Sequence, residues 1–295
     1  MEQIGLIINP LAGHRAGSRF GSGIARELRR TGFAVCARFT RGHGDATRIA
    51  RQFIAEGREA IVVAGGDGTL SETVHGMLDS GADLPLGLIP IGTGNDFAKA
   101  LGLTPLDWRG ACRRFAEGHI RRVDAGRCND RYFINGVGVG LDARVAIEAN
   151  RLRWLRGNAV YGVALANTLL HHYRTPRVGI RGPGIDRHQG VTLLAVANGQ
   201  VYGGAFRIAP QAEIDDGALD LVVAEALSRR AILRLLPAVL RGRHLGHPAV
   251  SCARVTELEV ELDAPLPVHA DGEIVSAAAR RIAVRILPAR LRFRL

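Results

Sequence analysis

Ile61-Val62-Val63-Ala64-Gly65-Gly66-Asp67-Gly68-Thr69 decides the fold class. Its apolar start reads as a short strand buried on both faces. The glycines then let the backbone turn sharply, and residues 70–78 read as a helix. A glycine-rich turn between a buried strand and a helix N-terminus suits a phosphate, because free N–H groups and the helix dipole both favour an anion. A plain strand-to-helix turn would use one glycine and a capping Asp; this one places Gly65, Gly66 and Gly68 around Asp67. The Asp67 carboxylate repels a polyphosphate unless a cation lies between them. Mg²⁺ is the cation that joins carboxylates to substrate phosphates.

The same grammar extends on both sides. Leu88-Ile89-Pro90-Ile91 ends in Gly92-Thr93-Gly94-Asn95-Asp96 before another helix. Thr93 can donate to a phosphate, and Asp96 can support the metal or its waters; Asn95 or Asp96 as a simple helix cap is the plainer reading. Asn9-Pro10-Leu11-Ala12-Gly13 also follows an apolar run. Strands are expected over residues 4–8, 33–40, 60–64 and 86–91, and helices over 21–30, 70–78 and from 97. A further helix is capped by Asp45, with Ala46, Ile49, Ala50, Phe53 and Ile54 at helical spacing. Repeated strand–helix units of this length predict a doubly wound parallel sheet whose ligand loops follow the strand C-termini.

Near Val123 the pattern changes to strands with turns between them: 132–139, 191–197, 219–224, 255–262 and 281–287. Helices interrupt them over 155–171 and 231–240. The expectation is an α/β domain over residues 1–122 and a mostly antiparallel β-rich domain over 123–287. The tail, 288–295, is free to return to the first. Asp271-Gly272 and Asp216-Gly217 read as hairpin-type turns.

Composition narrows the partners. The 295 residues exceed one ordinary core, and 47% hydrophobic with 23% charged residues excludes a disordered chain. A net charge of +11 favours anionic partners. Lys99 is the only lysine among 39 basic residues and lies between Ala98 and Ala100, so no Walker A loop and no protein-kinase strand lysine can be drawn. Cys36, Cys112, Cys128 and Cys252 are widely spaced, as expected of free thiols in a reducing compartment. Met1-Glu2-Gln3 lacks the basic start of a signal peptide, and no apolar run is long enough to span a bilayer. Gly138-Val139-Gly140-Leu141-Asp142-Ala143 fits a dinucleotide fingerprint but lies in the antiparallel half, with no acid about 20 residues on. His244 and His247 have metal spacing, yet Gly246 and Pro248 break the helix they would need.

In order along the chain, Asn9 to Gly13, Gly65 to Thr69, Gly92 to Ala98, Asn135 to Gly140, Gly203-Gly204, Asp215 to Asp220 and Asp271-Gly272-Glu273 together resemble the diacylglycerol kinase catalytic family. That family includes bacterial lipid kinases and is similar to sphingosine and ceramide kinases. The resemblance implies ATP-dependent phosphorylation of a lipid hydroxyl, with the acceptor on the β-rich domain. By motif match, Asn9, Pro10, Leu11, Ala12, Gly13, Thr40, the run Gly65-Gly66-Asp67-Gly68-Thr69-Leu70-Ser71-Glu72 and Thr93 would contact ATP. Glu273 matches a general base; Asp67, Asp96 and Asp124 match an acidic network around Mg²⁺. Asp216, with Glu213 and Ala218, matches a second, structural Mg²⁺ site. The lipid stays open among diacylglycerol, phosphatidylglycerol, a sphingoid base and an isoprenoid alcohol.

A lipid kinase without a spanning segment must reach the membrane from the cytoplasmic side. Two acid-free stretches suit an anionic surface. One holds Arg151, Arg153, Arg156, Arg174, Arg177 and Arg181 with Trp154, Tyr161 and Tyr173; the other holds Arg229, Arg230, Arg234, Arg241 and Arg243. The competing readings are a kinase for a soluble acceptor, of the NAD-kinase type, and a non-catalytic nucleic-acid binder. No nucleic-acid motif supports the last, so nucleic acid is not an expected partner. A homodimer is compatible with the reading.

Overall fold

The strand–turn–helix repeats and the later alternating runs separate cleanly in a computed structural model, which describes residues 1–152 and 159–295. The chain forms two units, Met1–Asp124 with Ala289–Leu295, and Ala125–Pro288. The first opens with β1(Gln3–Ile8), α1(Ala12–Arg30), β2(Ala34–Phe39), α2(Asp45–Ala55) and β3(Ala60–Gly65). It continues with α3(Asp67–Asp79), β4(Pro85–Pro90), α4(Asp96–Ala100), α5(Trp108–Glu117) and the start of β5(Ile120–Cys128). The strands lie in the order β2-β1-β3-β4, all parallel. Near the C-terminus, Arg292 and Phe293 add a further parallel pairing beside Pro85 and Leu86 of β4.

The apolar strands give this sheet its core. Ile4, Leu6, Ile8, Val62, Ala64 and Ile89 pack with Ile24, Leu28, Cys112 and Phe115 of the helices. Every residue of β3 is buried, as its unbroken apolar run requires. Asp45 is not the cap of α2. Its Oδ2 accepts from the Arg41 N–H at 2.6 Å, and Gly44 takes the cap position at φ +80°.

The second unit holds the end of β5, β6(Arg131–Phe133), β7(Gly136–Gly140), α6(Leu141–Arg151), α7(Ala159–Asn167) and a π-helical turn at Thr168–His172. Then come β8(Arg177–Gly182), β9(Ile185–Ala197), β10(Leu219–Glu225), α8(Arg229–Leu240), a 3₁₀ turn at His244–Gly246, β11(Val250–Val255), β12(Glu257–Ala270) and β13(Glu273–Arg294), whose last residues from Ala289 on belong to the first unit. The order β11-β10-β9-β7-β12-β13 is antiparallel throughout, and β8 pairs with both β9 and β12. Alternation sets the core: Leu258, Val260 and Leu262 of β12 are buried with Ile282, Val284 and Ile286 of β13.

An α/β domain followed by an antiparallel β-rich domain is the expected fold class. The strand expected over residues 132–139 is two, β6 and β7, divided at Ile134-Asn135. Of the helix expected over 155–171, residues 155–158 lie outside the described residues. So do Arg153, Trp154 and Arg156 of the first basic stretch. Gly140 does end a strand before a helix, but β7 runs antiparallel to both neighbours, so the fingerprint there lacks its parallel context. Among the described residues no helix is long and apolar enough to cross a membrane. The four cysteines are free thiols, and burial pushes Cys112 and Cys128 up to about 12. Neither is a reactive thiolate at neutral pH.

Candidate active site

In the first unit, the neighbours β1 and β3 send their outgoing connections in opposite directions, toward β2 and β4. Ligands bind at such a switch point, outside the strand C-termini. The loop after β1 and the loop after β3 meet there. The Asn9 amide donates to Thr69 Oγ1 at 2.9 Å, its Oδ1 accepts from the Leu11 N–H at 3.0 Å, and its N–H reaches Ala64 O at 3.0 Å. The loops after β3 and β4 touch backbone to backbone: a Cβ on Gly92 would lie 2.3 Å from Gly66 Cα. That contact admits glycine alone.

Asn95, at φ +51°, closes the third loop on itself. Its Oδ1 accepts from Gly92 N–H at 3.0 Å and its Nδ2 donates to Gly92 O at 2.7 Å. The turn leaves Thr93 exposed and Asp96 buried at the start of α4. Asp67 opens α3, and its Oδ1 accepts from the Phe97 N–H at 3.0 Å. Burial, then repulsion from Asp96, pushes the Asp67 carboxyl above its ordinary value, against hydrogen bonds that favour the anion. Lys99 Nζ reaches Asp96 Oδ1 at 3.1 Å. Two neighbouring carboxylates at the starts of two helices, one destabilised by the other, suit a divalent cation shared with a phosphate.

The remaining nucleotide candidates divide. Thr40 is buried, with its N–H donated to Ile8 O at 2.9 Å. Leu70 belongs to the core, and Ser71 is buried with its hydroxyl unpartnered among the described residues. Glu72 is turned toward α2. Its Oε1 accepts from Gly44 N–H at 2.9 Å and its Oε2 from Ala46 N–H at 3.1 Å. It is the tertiary cap that Asp45 does not provide, a role invisible in local sequence. Asp124 is buried in β5, and its Oδ1 accepts from the Ala289 N–H at 2.6 Å, tying the returning tail to the first unit.

In the second unit, Ala270 and Glu273 face each other across a two-residue turn. Asp271 at φ +51° and Gly272 at φ +81° give the turn its type I′ geometry, the conformation that an Asp-Gly hairpin demands. The Asp271 carboxylate accepts the N–H groups of Ile134, Asn135 and Gly136 at 2.9, 2.8 and 3.0 Å. Those bonds hold the break between β6 and β7 against the turn. Glu273 is paired with Arg131 of β6. Arg131 was not anticipated; nothing local marks a partner so distant in sequence.

At the expected structural metal site, the protein satisfies its own carboxylate. Asp216 Oδ1 accepts from the Ala218 N–H at 3.0 Å, and Oδ2 pairs with Arg254 of β11. Burial pushes the nearby Asp220 carboxyl up, and Asp216 and Glu213 add to the shift while Arg254 opposes it. A guanidinium therefore supplies the positive charge here, and the donor set as it stands does not fit a further divalent ion.

Comparison with known proteins places these features in one family. The diacylglycerol kinase catalytic domain matches residues 3–128, and the YegS C-terminal NAD kinase beta sandwich-like domain matches residues 135–294. A diacylglycerol kinase of Mycobacterium tuberculosis H37Rv is 32% identical over 272 residues, covering 90% of this chain and 87% of its own. The diacylglycerol kinase of Bacillus subtilis 168 is 27% identical, covering 92% of this chain and 90% of its own. A crystal structure of a candidate diacylglycerol kinase from Bacillus anthracis Sterne superposes with a TM-score of 0.82 at 26% identity, covering 99% of this chain and 97% of the other. Matched in order in both halves and along nearly its whole length, the chain belongs to the diacylglycerol kinase family of lipid kinases.

Proposed function

We propose that this protein transfers the γ-phosphate of ATP to a hydroxyl of a membrane lipid, with diacylglycerol the first candidate. Family membership supports the reaction class. The observation on this chain that carries it is the Asp67–Asp96 pair beside three interlocked loops at the sheet's switch point. In this reading Asn9, Pro10, Leu11, Ala12, Gly13, Thr40, Thr93 and the turn from Gly65 to Thr69 bind the nucleotide, while Leu70 lies in the core and Glu72 caps α2. The α3 N-terminus attracts its phosphates. Asp67 and Asp96 hold Mg²⁺, which when bound neutralises charge on the transferring group. Asp124 completes the acidic set. Glu273 accepts the proton of the acceptor hydroxyl, and Arg131 orients it. A loose phosphoryl transfer needs that base late, so positioning contributes more than basicity.

The lipid is reached from the cytoplasmic side by adsorption on an anionic membrane. Helix α8 supports this part. Leu233, Pro237 and Leu240 form an exposed stripe at i, i+4 and i+7, flanked by exposed Arg230, Arg234 and Arg241. A soluble acceptor is the second reading, favoured by the NAD-kinase-like description of the second domain. Radiolabelled ATP with total lipid extract, diacylglycerol vesicles and NAD⁺ in parallel separates the two. Label in an organic-extractable product, lost in Asp67→Asn at saturating Mg²⁺, is expected. Label in NAD⁺ with none in lipid overturns the lipid reading.

A further inference from the structure

The turn that carries Glu273 is held by a histidine–carboxylate pair that the motif set does not contain. His269 of β12 is 6% exposed and Asp142 of α6 half-buried. His269 Nδ1 lies 3.2 Å from the Gly272 N–H, and its Nε2 lies 3.3 Å from Asp142 Oδ2. A backbone N–H can only donate, so Nδ1 accepts and the ring proton sits on Nε2, where it donates to Asp142. Asp142 is fixed in turn, its Oδ1 accepting from the Ala143 N–H at 2.8 Å. The Tyr202 ring meets the imidazole edge-on with centroids 6.3 Å apart, limiting ring rotation.

The backbone makes room for this pair. A Cβ on Gly138 would lie 1.8 Å from Asp142 Oδ2 and 2.4 Å from His269 Nε2. Gly138 is the first glycine of the apparent dinucleotide fingerprint, so that motif's glycine has a use here: it lets β7 pass close against the histidine–carboxylate pair. The chain of contacts runs from α6 through His269 to Gly272, the residue before Glu273.

We propose that His269, oriented by Asp142, is a positioning residue: it fixes the Gly272 amide and thereby the backbone from which the Glu273 carboxylate reaches the acceptor hydroxyl. This inference rests on the assignment of Glu273 as the base. It assigns His269 no contact with substrate. Outer groups of this kind typically set about 10- to 100-fold of activity by holding an inner residue in place.

The test compares His269→Ala, His269→Asn and Glu273→Gln, with kcat and KM measured for Mg-ATP and for dispersed diacylglycerol. Asn keeps an acceptor near the position of Nδ1, whereas Ala removes it. Expected are a kcat about 10- to 100-fold lower in His269→Ala, an unchanged KM for Mg-ATP, and recovery of most of that loss in His269→Asn. Hydrogen exchange gives a readout independent of turnover: the Gly272 amide should lose protection in His269→Ala and keep it in His269→Asn. If Glu273→Gln turns over normally, the base assignment fails and the positioning role falls with it. If Glu273→Gln is impaired while His269→Ala keeps wild-type kcat or Gly272 protection, the base assignment stands and the positioning role is wrong. Equal losses in the Ala and Asn variants also overturn it, since a merely structural role would not distinguish them.

Discussion

At the scale of single residues, Asp67 sets stability against the proposed chemistry. Its carboxyl is pushed above the ordinary 3.8 by burial first and by Asp96 second. The folded state thus binds this proton more tightly than the unfolded state. Stability falls as pH rises from about 3.8 toward the raised value and stays lower above it. Asp67→Asn keeps an oxygen for the Phe97 N–H and removes the repulsion. In Mg²⁺-free buffer at neutral pH its melting temperature should equal or exceed that of the wild type, while phosphoryl transfer is lost. A lower melting temperature would mean that the carboxylate is structural. Asp67 stands out in sequence as a candidate because a charge inside a triple-glycine turn has few other uses. Asp142, His269 and Arg131 do not, because their meaning lies in partners more than 100 residues away.

Elements fail to be legible where tertiary contacts do local work. Helix α2 was read with Asp45 as its cap; Glu72 of α3 does the capping instead. Glu72→Ala leaves the Gly44 and Ala46 N–H groups unpaired and should cost about 1–3 kcal/mol. Urea unfolding should show a lower midpoint with an unchanged slope. An unchanged midpoint with a raised KM for ATP would assign the carboxylate to the nucleotide. Strands β8 and β11 and helix α5 were missed for a compositional reason. Arg177-Val178-Gly179-Ile180-Arg181-Gly182 buries only Val178, Gly179 and Ile180 among arginines. Strand β11 is likewise buried only at its ends. In α5 only Ala111, Cys112 and Phe115 are buried, with Arg109, Arg113 and Arg114 interspersed along the helix. An arginine-rich surface thins the apolar period from which such elements are read. Arginine also alters the expected metal site. Arg254→Gln removes the charge facing Asp216 and Asp220, so its melting temperature should fall, and nucleotide-free Mg²⁺ should raise it more than in the wild type. An equal Mg²⁺-dependent rise in both proteins would show that the guanidinium does not stand in for a cation.

The whole molecule carries +11, and its acid-free stretches concentrate that charge. Of the first stretch, Arg151 pairs with Glu148 at 3.0 Å, which spends part of its charge within the fold. The second stretch is better placed. Helix α8 turns Ile232 into a small core with Leu141, Leu165 and Leu169, and presents Leu233 and Leu240 at 56% and 42% exposure. The exposed pair lies about a quarter turn round the helix from Ile232, an apolar stripe beside the packed face, as the proposed membrane contact needs. Each arginine near an anionic surface contributes about 1 kcal/mol, within a Debye length. Changing Arg230, Arg234 and Arg241 together to Gln should weaken binding to phosphatidylglycerol-containing vesicles by roughly 3 kcal/mol at most. The effect should shrink at high salt, and turnover of detergent-dispersed lipid should stay near wild type. Leu233→Ser with Leu240→Ser should weaken vesicle binding in a salt-independent way, because the apolar part is not screened. If both variants bind vesicles as tightly as the wild type at low salt, α8 is a solvated helix face and the membrane contact lies elsewhere on the chain.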